Sequence, residues 1–89
     1  MKNHIFVELI KQLSSHKSIK YLLFVSHNDL GEEIFSISAE FVGDASGEYE
    51  LAEDICRDRK VAEKFLYLIA AEEVEPCHIC DIVYDMLPL

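Results

Sequence analysis

Residues 33–42 read EIFSISAEFV, and their spacing decides the fold class. Ile34, Ser36, Ser38 and Glu40 fall on one side of an extended chain. Phe35, Ile37, Ala39 and Phe41 fall on the other. One side is apolar throughout and the other is mostly polar. A parallel strand buried on both faces would be apolar on both sides. The alternation therefore predicts an antiparallel strand in a sheet covered on one face and wet on the other.

The flanking segments extend this reading. Residues 19–27, IKYLLFVSH, are rich in aromatic and β-branched residues and end at NDLGE, where Asn, Asp and Gly supply turn geometry. GDASGE at 43–48 predicts a second turn. YELAEDI at 49–55 then alternates Tyr49, Leu51, Glu53 and Ile55 against Glu50, Ala52 and Asp54. Three strands in a meander follow.

After Cys56 the apolar period lengthens from 2 to about 3.6 residues. Asp58 suits the N-cap of a helix from Arg59 to Glu72, with Val61, Phe65, Leu68 and Ile69 as its apolar stripe and Ala62 beside them. Pro76 suits the first turn of a second helix reaching Met86, with Pro88 as its stop.

The first thirteen residues fit two patterns. Ile5, Phe6, Leu9, Ile10 and Leu13 share one helical face. Alternatively, ELIKQLSSHKSIKYLLF (8–24) makes an edge hairpin closed around SSHKS. Helix and edge strand both stand at this point.

With 89 residues the chain is read as a single domain, 1–89. Its hydrophobic fraction of 51% exceeds the usual globular value of about 45–50%. That surplus predicts burial between two copies, a homodimer. The net charge is −9, and it is unevenly spread. Residues 28–56 hold nine acids and no Lys or Arg, whereas residues 1–27 hold four lysines and one acid. Such a field repels polyanions, which argues against direct nucleic-acid binding and suits a basic protein partner. No apolar run nears the roughly 18 residues of a membrane span. The N-terminus lacks the pattern of a secretory signal, so the expected location is cytoplasmic, with the three cysteines reduced.

From Ile34 onward the chain resembles a family of short uncharacterised bacterial proteins of unknown function. The similar stretches are IFSISAEF (34–41), EDICRDRKVAEKFLYLI (53–69) and VEPCHICDIVYDML (74–87). In the last of these, Pro76, His78, Ile79, Asp81, Ile82, Val83 and Asp85 match the family's tail. The resemblance implies strands followed by two C-terminal helices and favours the hairpin at the N-terminus. It implies no activity, and it suggests that relatives carry other residues at the two cysteine positions of CHIC.

CHIC, residues 77–80, is the stretch that looks most like chemistry. A redox C-x-x-C needs a stabilised thiolate, yet Glu72, Glu73, Glu75 and Asp81 surround this one and favour the neutral thiol. A zinc site needs four ligands. Cys56, Cys77 and Cys80 offer three candidates, and His78 projects about 100° from Cys77 around the helix. The reading preferred here makes Cys80 a small buried hydrophobe and Cys77 a boundary residue beside Tyr84. Ile79, Val83 and Leu87 centre the apolar face of this helix. His78, Asp81 and Asp85, at i, i+3 and i+7, share its polar face and form a candidate interaction surface. Arg57, Arg59 and Lys60 make a basic start to the first helix, available for surface pairing or for a contact with acidic residues 44–54 of another copy.

The expectation is thus an α+β domain: an antiparallel meander of three or four strands with two C-terminal helices on one face. The expected role is a non-enzymatic protein-interaction or regulatory module without catalytic residues, metal or cofactor. The alternative is a thiol-redox or zinc-binding protein using Cys77 and Cys80.

Overall fold

The computed structural model describes residues 4–13, 17–43 and 49–86. Four strands follow one another: β1 (His4–Gln12), β2 (Ser18–His27), β3 (Glu33–Val42) and β4 (Tyr49–Cys56). They form one antiparallel sheet in the order β1-β2-β3-β4. Two helices come after it, α1 (Arg59–Ala71) and α2 (Ile79–Met86), joined through a 3-10 turn at Pro76–His78. The α+β class and the two C-terminal helices are as expected. The expected turns at 14–18 and 43–48, and the parts assigned to Leu87 and Pro88, lie outside the described residues in whole or in part.

The N-terminal alternative resolves as an edge strand. His4–Gln12 pairs antiparallel with β2, Leu9 opposite Tyr21 and Lys11 opposite Ile19. The helical stripe is not used: Val7 and Leu9 pack against the core, while Ile5 and Ile10 are exposed. A strand here gives the outer backbone edge of β2 its hydrogen bonds, which a helix would leave unmade. A bulge between Ile5 and Val7 lets Phe6 lie on the same side as Phe35, ring centroids 6.2 Å apart and edge to face.

The β2–β3 turn follows from its residues. Asn28 Oδ1 accepts from the backbone N–H of Leu30 and of Glu32, and Gly31 takes φ +79. The β3–β4 pairing is less regular. Ile37 pairs with Ala52 and Phe35 with Cys56, so four steps of β4 span two of β3. Asp54, at φ +53, makes this bulge, and its N–H donates to Ser36 Oγ at 3.0 Å. One expectation is corrected here. Ile55 does not share a face with Leu51; the bulge turns it to the side of Ala52, where both are buried.

The core lies between one sheet face and the helices. Ile19, Tyr21, Leu23 and Val25 of β2 and Phe35, Ile37, Ala39 and Phe41 of β3 meet Phe65, Leu66, Ile69, Ile79 and Val83. α1 starts at Asp58, whose carboxylate accepts from Val61 N–H at 3.1 Å. Its buried stripe is Ala62, Phe65, Leu66, Ile69 and Ala70. Leu68, expected in that stripe, is 45% exposed, because the helix presents Leu66 and Ala70 to the sheet instead.

The end of α1 is a Schellman turn. Val74 N–H donates to Ile69 O and Glu73 N–H to Ala70 O, both at 3.1 Å. Glu73 occupies the left-handed position at φ +53, where glycine is the usual residue. Val74 is buried, and its carbonyl accepts from the Tyr21 hydroxyl at 2.7 Å. That bond ties the centre of the sheet to the link between the helices. Pro76 is buried too, and it starts the 3-10 turn rather than the α-helix itself.

Candidate functional site

The residues singled out by sequence are not gathered in one place. Cys56 ends β4 half buried, with Sγ 3.5 Å from Asp58 O. Cys80 is half buried against β4, with Sγ 3.4 Å from Leu51 O. Cys77 is exposed in the 3-10 turn. The pair is thus one step more exposed than expected. Burial pushes both the Cys56 and the Cys80 thiols up, and Glu50 and Asp81 add to the effect at Cys80. Both therefore favour the neutral thiol, the weaker nucleophile and metal ligand. Among the described residues, no three His, Cys, Asp or Glu side chains converge as a metal-holding group.

His78, Asp81 and Asp85 are all exposed. A cavity of about 480 Å³ opens beside His78, floored by Leu68, Ile69 and Ile82 and rimmed by Glu72, Glu73 and Glu75. Asp81 and Asp85 do not line it. His78 thus borders this cavity beside the acidic end of α1.

The basic start of α1 is paired within the chain. Arg59 Nη2 reaches the Glu33 carboxylate at 2.8 and 3.2 Å, and its guanidinium lies 4.8 Å from the Phe6 ring centroid. Arg57 approaches Glu32 at 3.8 Å. These contacts tie the β2–β3 turn and the β1 bulge to the start of α1 through Arg57 and Arg59.

A different region carries the unexplained surface. The helices cover only the face holding Tyr21 and Ile37. The alternate residues point to the opposite face, and cross-strand pairing arranges them in rows. Ile5, Phe24 and Ser36 make one row; Glu8, Leu22, Ser38 and Leu51 a second; Ile10, Lys20, Glu40 and Tyr49 a third. No described element packs over these rows, yet they contain large apolar side chains. Ile10 is 62% exposed, Ile5 58% and Tyr49 49%.

Within this face Phe24, Leu51 and Tyr49 flank a shallow cavity of about 300 Å³ that reaches Ser26 and Ser36. The serines themselves are not wet, which corrects the expected solvated face. Ser38 is 1% exposed between Leu22 and Leu51 of the neighbouring strands. Lys20 pairs with Glu40 across β2 and β3 at 3.3 Å. The sequence alone pointed to His78, Asp81 and Asp85 and missed this face. Its signal is the cross-strand register, which joins apolar residues from four separated segments.

No helix among the described residues is long and apolar enough to cross a membrane. No curated protein and no solved structure matches the chain. The model of a family of unknown function, DUF6514, matches residues 3–89, and the chain belongs to that family.

Proposed function

We propose that this chain is a non-enzymatic protein-interaction module, working in the cytoplasm through the uncovered face of its sheet. The observation that carries this reading is the placement of Ile5, Ile10, Phe24, Leu51 and Tyr49 together on a face that no described element covers. Large apolar side chains exposed together on one face, with polar residues among them, are the usual mark of an interaction surface. The net charge of −9 argues against a nucleic acid as the partner. Charge on the face itself is nearly balanced at its centre by Lys20 and Glu40, so a strongly basic partner is not required there.

The test is in-cell photo-crosslinking. A benzophenone amino acid at position 10 should give a discrete protein adduct. The same group at position 67, an exposed site on α1, should give none. Equal labelling at both positions, or none at either, would remove the basis for this reading.

A further inference from the structure

We infer that the partner on the uncovered face is a second copy of this chain, related by a two-fold axis that runs along the strands between β2 and β3. This rests on the interaction reading above and names the partner it requires.

The argument starts from the rows. In each row across the middle of the face, β2 supplies a large or cationic residue and β3 a small or anionic one. Phe24 pairs with Ser36, Leu22 with Ser38, and Lys20 with Glu40. An opening remains beside Phe24 and Ser36, the shallow cavity of this face, whereas at Ser38 the space is already filled by Leu22 and Leu51 of the neighbouring strands. A two-fold axis in the interface plane, midway between these strands, exchanges their positions and preserves height along them. It lays Phe24 of one copy over Ser36 of the other, Leu22 over Ser38, and Lys20 over Glu40. Phe24 of each copy thus meets the opening at Ser36 of the other, and each cation gains a second carboxylate neighbour. Tyr49 of one copy falls over Ile10 of the other, covering two of the most exposed apolar residues. By the same operation Glu8 on edge strand β1 falls over Leu51 on edge strand β4 of the other copy, at the border of the contact.

Size and edges agree with this occupant. Four strands at about 4.8 Å spacing and some 30 Å long present roughly 600 Å² of projected face per copy. Two such faces reach the lower end of the roughly 1,200–2,000 Å² that stable interfaces bury. Sheets stacked face to face pack about 10 Å apart with aligned strands, a standard arrangement. Sheet extension through an edge is less favoured, since the bulge at Phe6 interrupts β1 and the bulge at Asp54 interrupts β4.

The test uses light scattering and sedimentation over a micromolar concentration series. The wild-type chain is expected at twice its 10.2 kDa mass. Lys20→Glu alone and Glu40→Lys alone each place like charges across the axis and should weaken association about tenfold or more. An equimolar mixture of the two variants should recover the dimer, because the introduced carboxylates face the lysines of the other variant. Circular dichroism melts confirm that each variant folds. A wild-type dimer that both variants retain, or a mixture no tighter than its parts, overturns the proposed axis. A wild-type monomer overturns the dimer itself. In that case the position-10 crosslinker separates the two readings: an adduct with a different protein keeps the interaction module, and no adduct ends both.

Discussion

The two faces of the sheet are made by the same strands, residue by alternate residue, and they have opposite fates. The covered face is aliphatic and aromatic along β2 and β3, with Tyr21, Leu23, Phe35 and Ile37 fully buried. The uncovered face mixes comparable apolar residues with serines and one ion pair. Its mixed character is what allows the chain to leave it open without collapsing on it. The difference teaches that on the edge strand burial follows the face the helices reach, whereas on the inner strands Leu22 and Ser38 are buried by their neighbours in the sheet alone. β1 makes the point: its Val7 and Leu9 are partly buried, whereas Ile5 and Ile10, no less apolar, are exposed.

The largest effect that can break this comparison comes from equal truncations on the two faces. Leu23→Ala leaves a cavity under α1 and should cost about 2–5 kcal/mol. Ile10→Ala should change the stability of the monomer by no more than about 0.5 kcal/mol. Urea unfolding at concentrations low enough to keep the chain monomeric measures both. Similar losses at the two positions would mean that something in the chain covers the second face after all.

A smaller effect sharpens the covered face. Tyr21→Phe keeps the ring and removes the hydroxyl, so the Val74 carbonyl loses its partner, at about 1–2 kcal/mol. The same residue sets an alkaline limit. Burial, with help from Glu73 and Glu75, pushes the Tyr21 phenol up to about 12. The unfolded phenol titrates near 10, so between pH 10 and 12 the folded state holds a proton that the unfolded state has lost. Its contribution is complete below pH 10 and disappears as pH rises through 12. Stability measured across this window should fall in the wild type and fall less in Tyr21→Phe.

The smallest effect has the opposite sign. Glu73→Gly relieves a left-handed backbone at the end of α1 and should stabilise the fold by up to about 1 kcal/mol in thermal unfolding. A loss instead would show that the Glu73 side chain contributes something at the acidic cavity that outweighs its strain.

Sequence legibility divides along physical lines. β2, β3 and α1 are legible because their signals are local: strict alternation in 33–42, turn chemistry at Asn28 and Gly31, and an N-cap at Asp58. β1 is ambiguous because Ile5, Phe6, Leu9 and Ile10 also make a helical stripe, and the tie is broken only by the unpaired edge of β2. The bulge at Asp54 is not legible, since nothing in YELAEDI marks a non-glycine residue that adopts a left-handed backbone. For the same reason Ile55 is assigned to the wrong face. The site is the least legible part. Ile10, Lys20, Glu40 and Tyr49 become neighbours only once three strand registers are fixed. CHIC, by contrast, is conspicuous in the sequence, yet its two cysteines have different surroundings, Cys80 against β4 and Cys77 exposed.

The bond from Tyr21 to Val74 also bears on the order in which the molecule assembles. Every strand pairing joins consecutive segments, so the sheet can zip through short hairpins with little loop entropy at each step. The Tyr21 hydroxyl instead reaches 53 residues along the chain, to a carbonyl that is positioned only after α1 has docked and turned at Glu73. A bond of this sequence separation is expected to form late. A contact that forms after the rate-limiting step leaves the folding rate alone and governs how long the molecule stays folded. Tyr21→Phe is therefore expected to speed unfolding and leave the folding rate unchanged, measured by stopped-flow denaturant jumps.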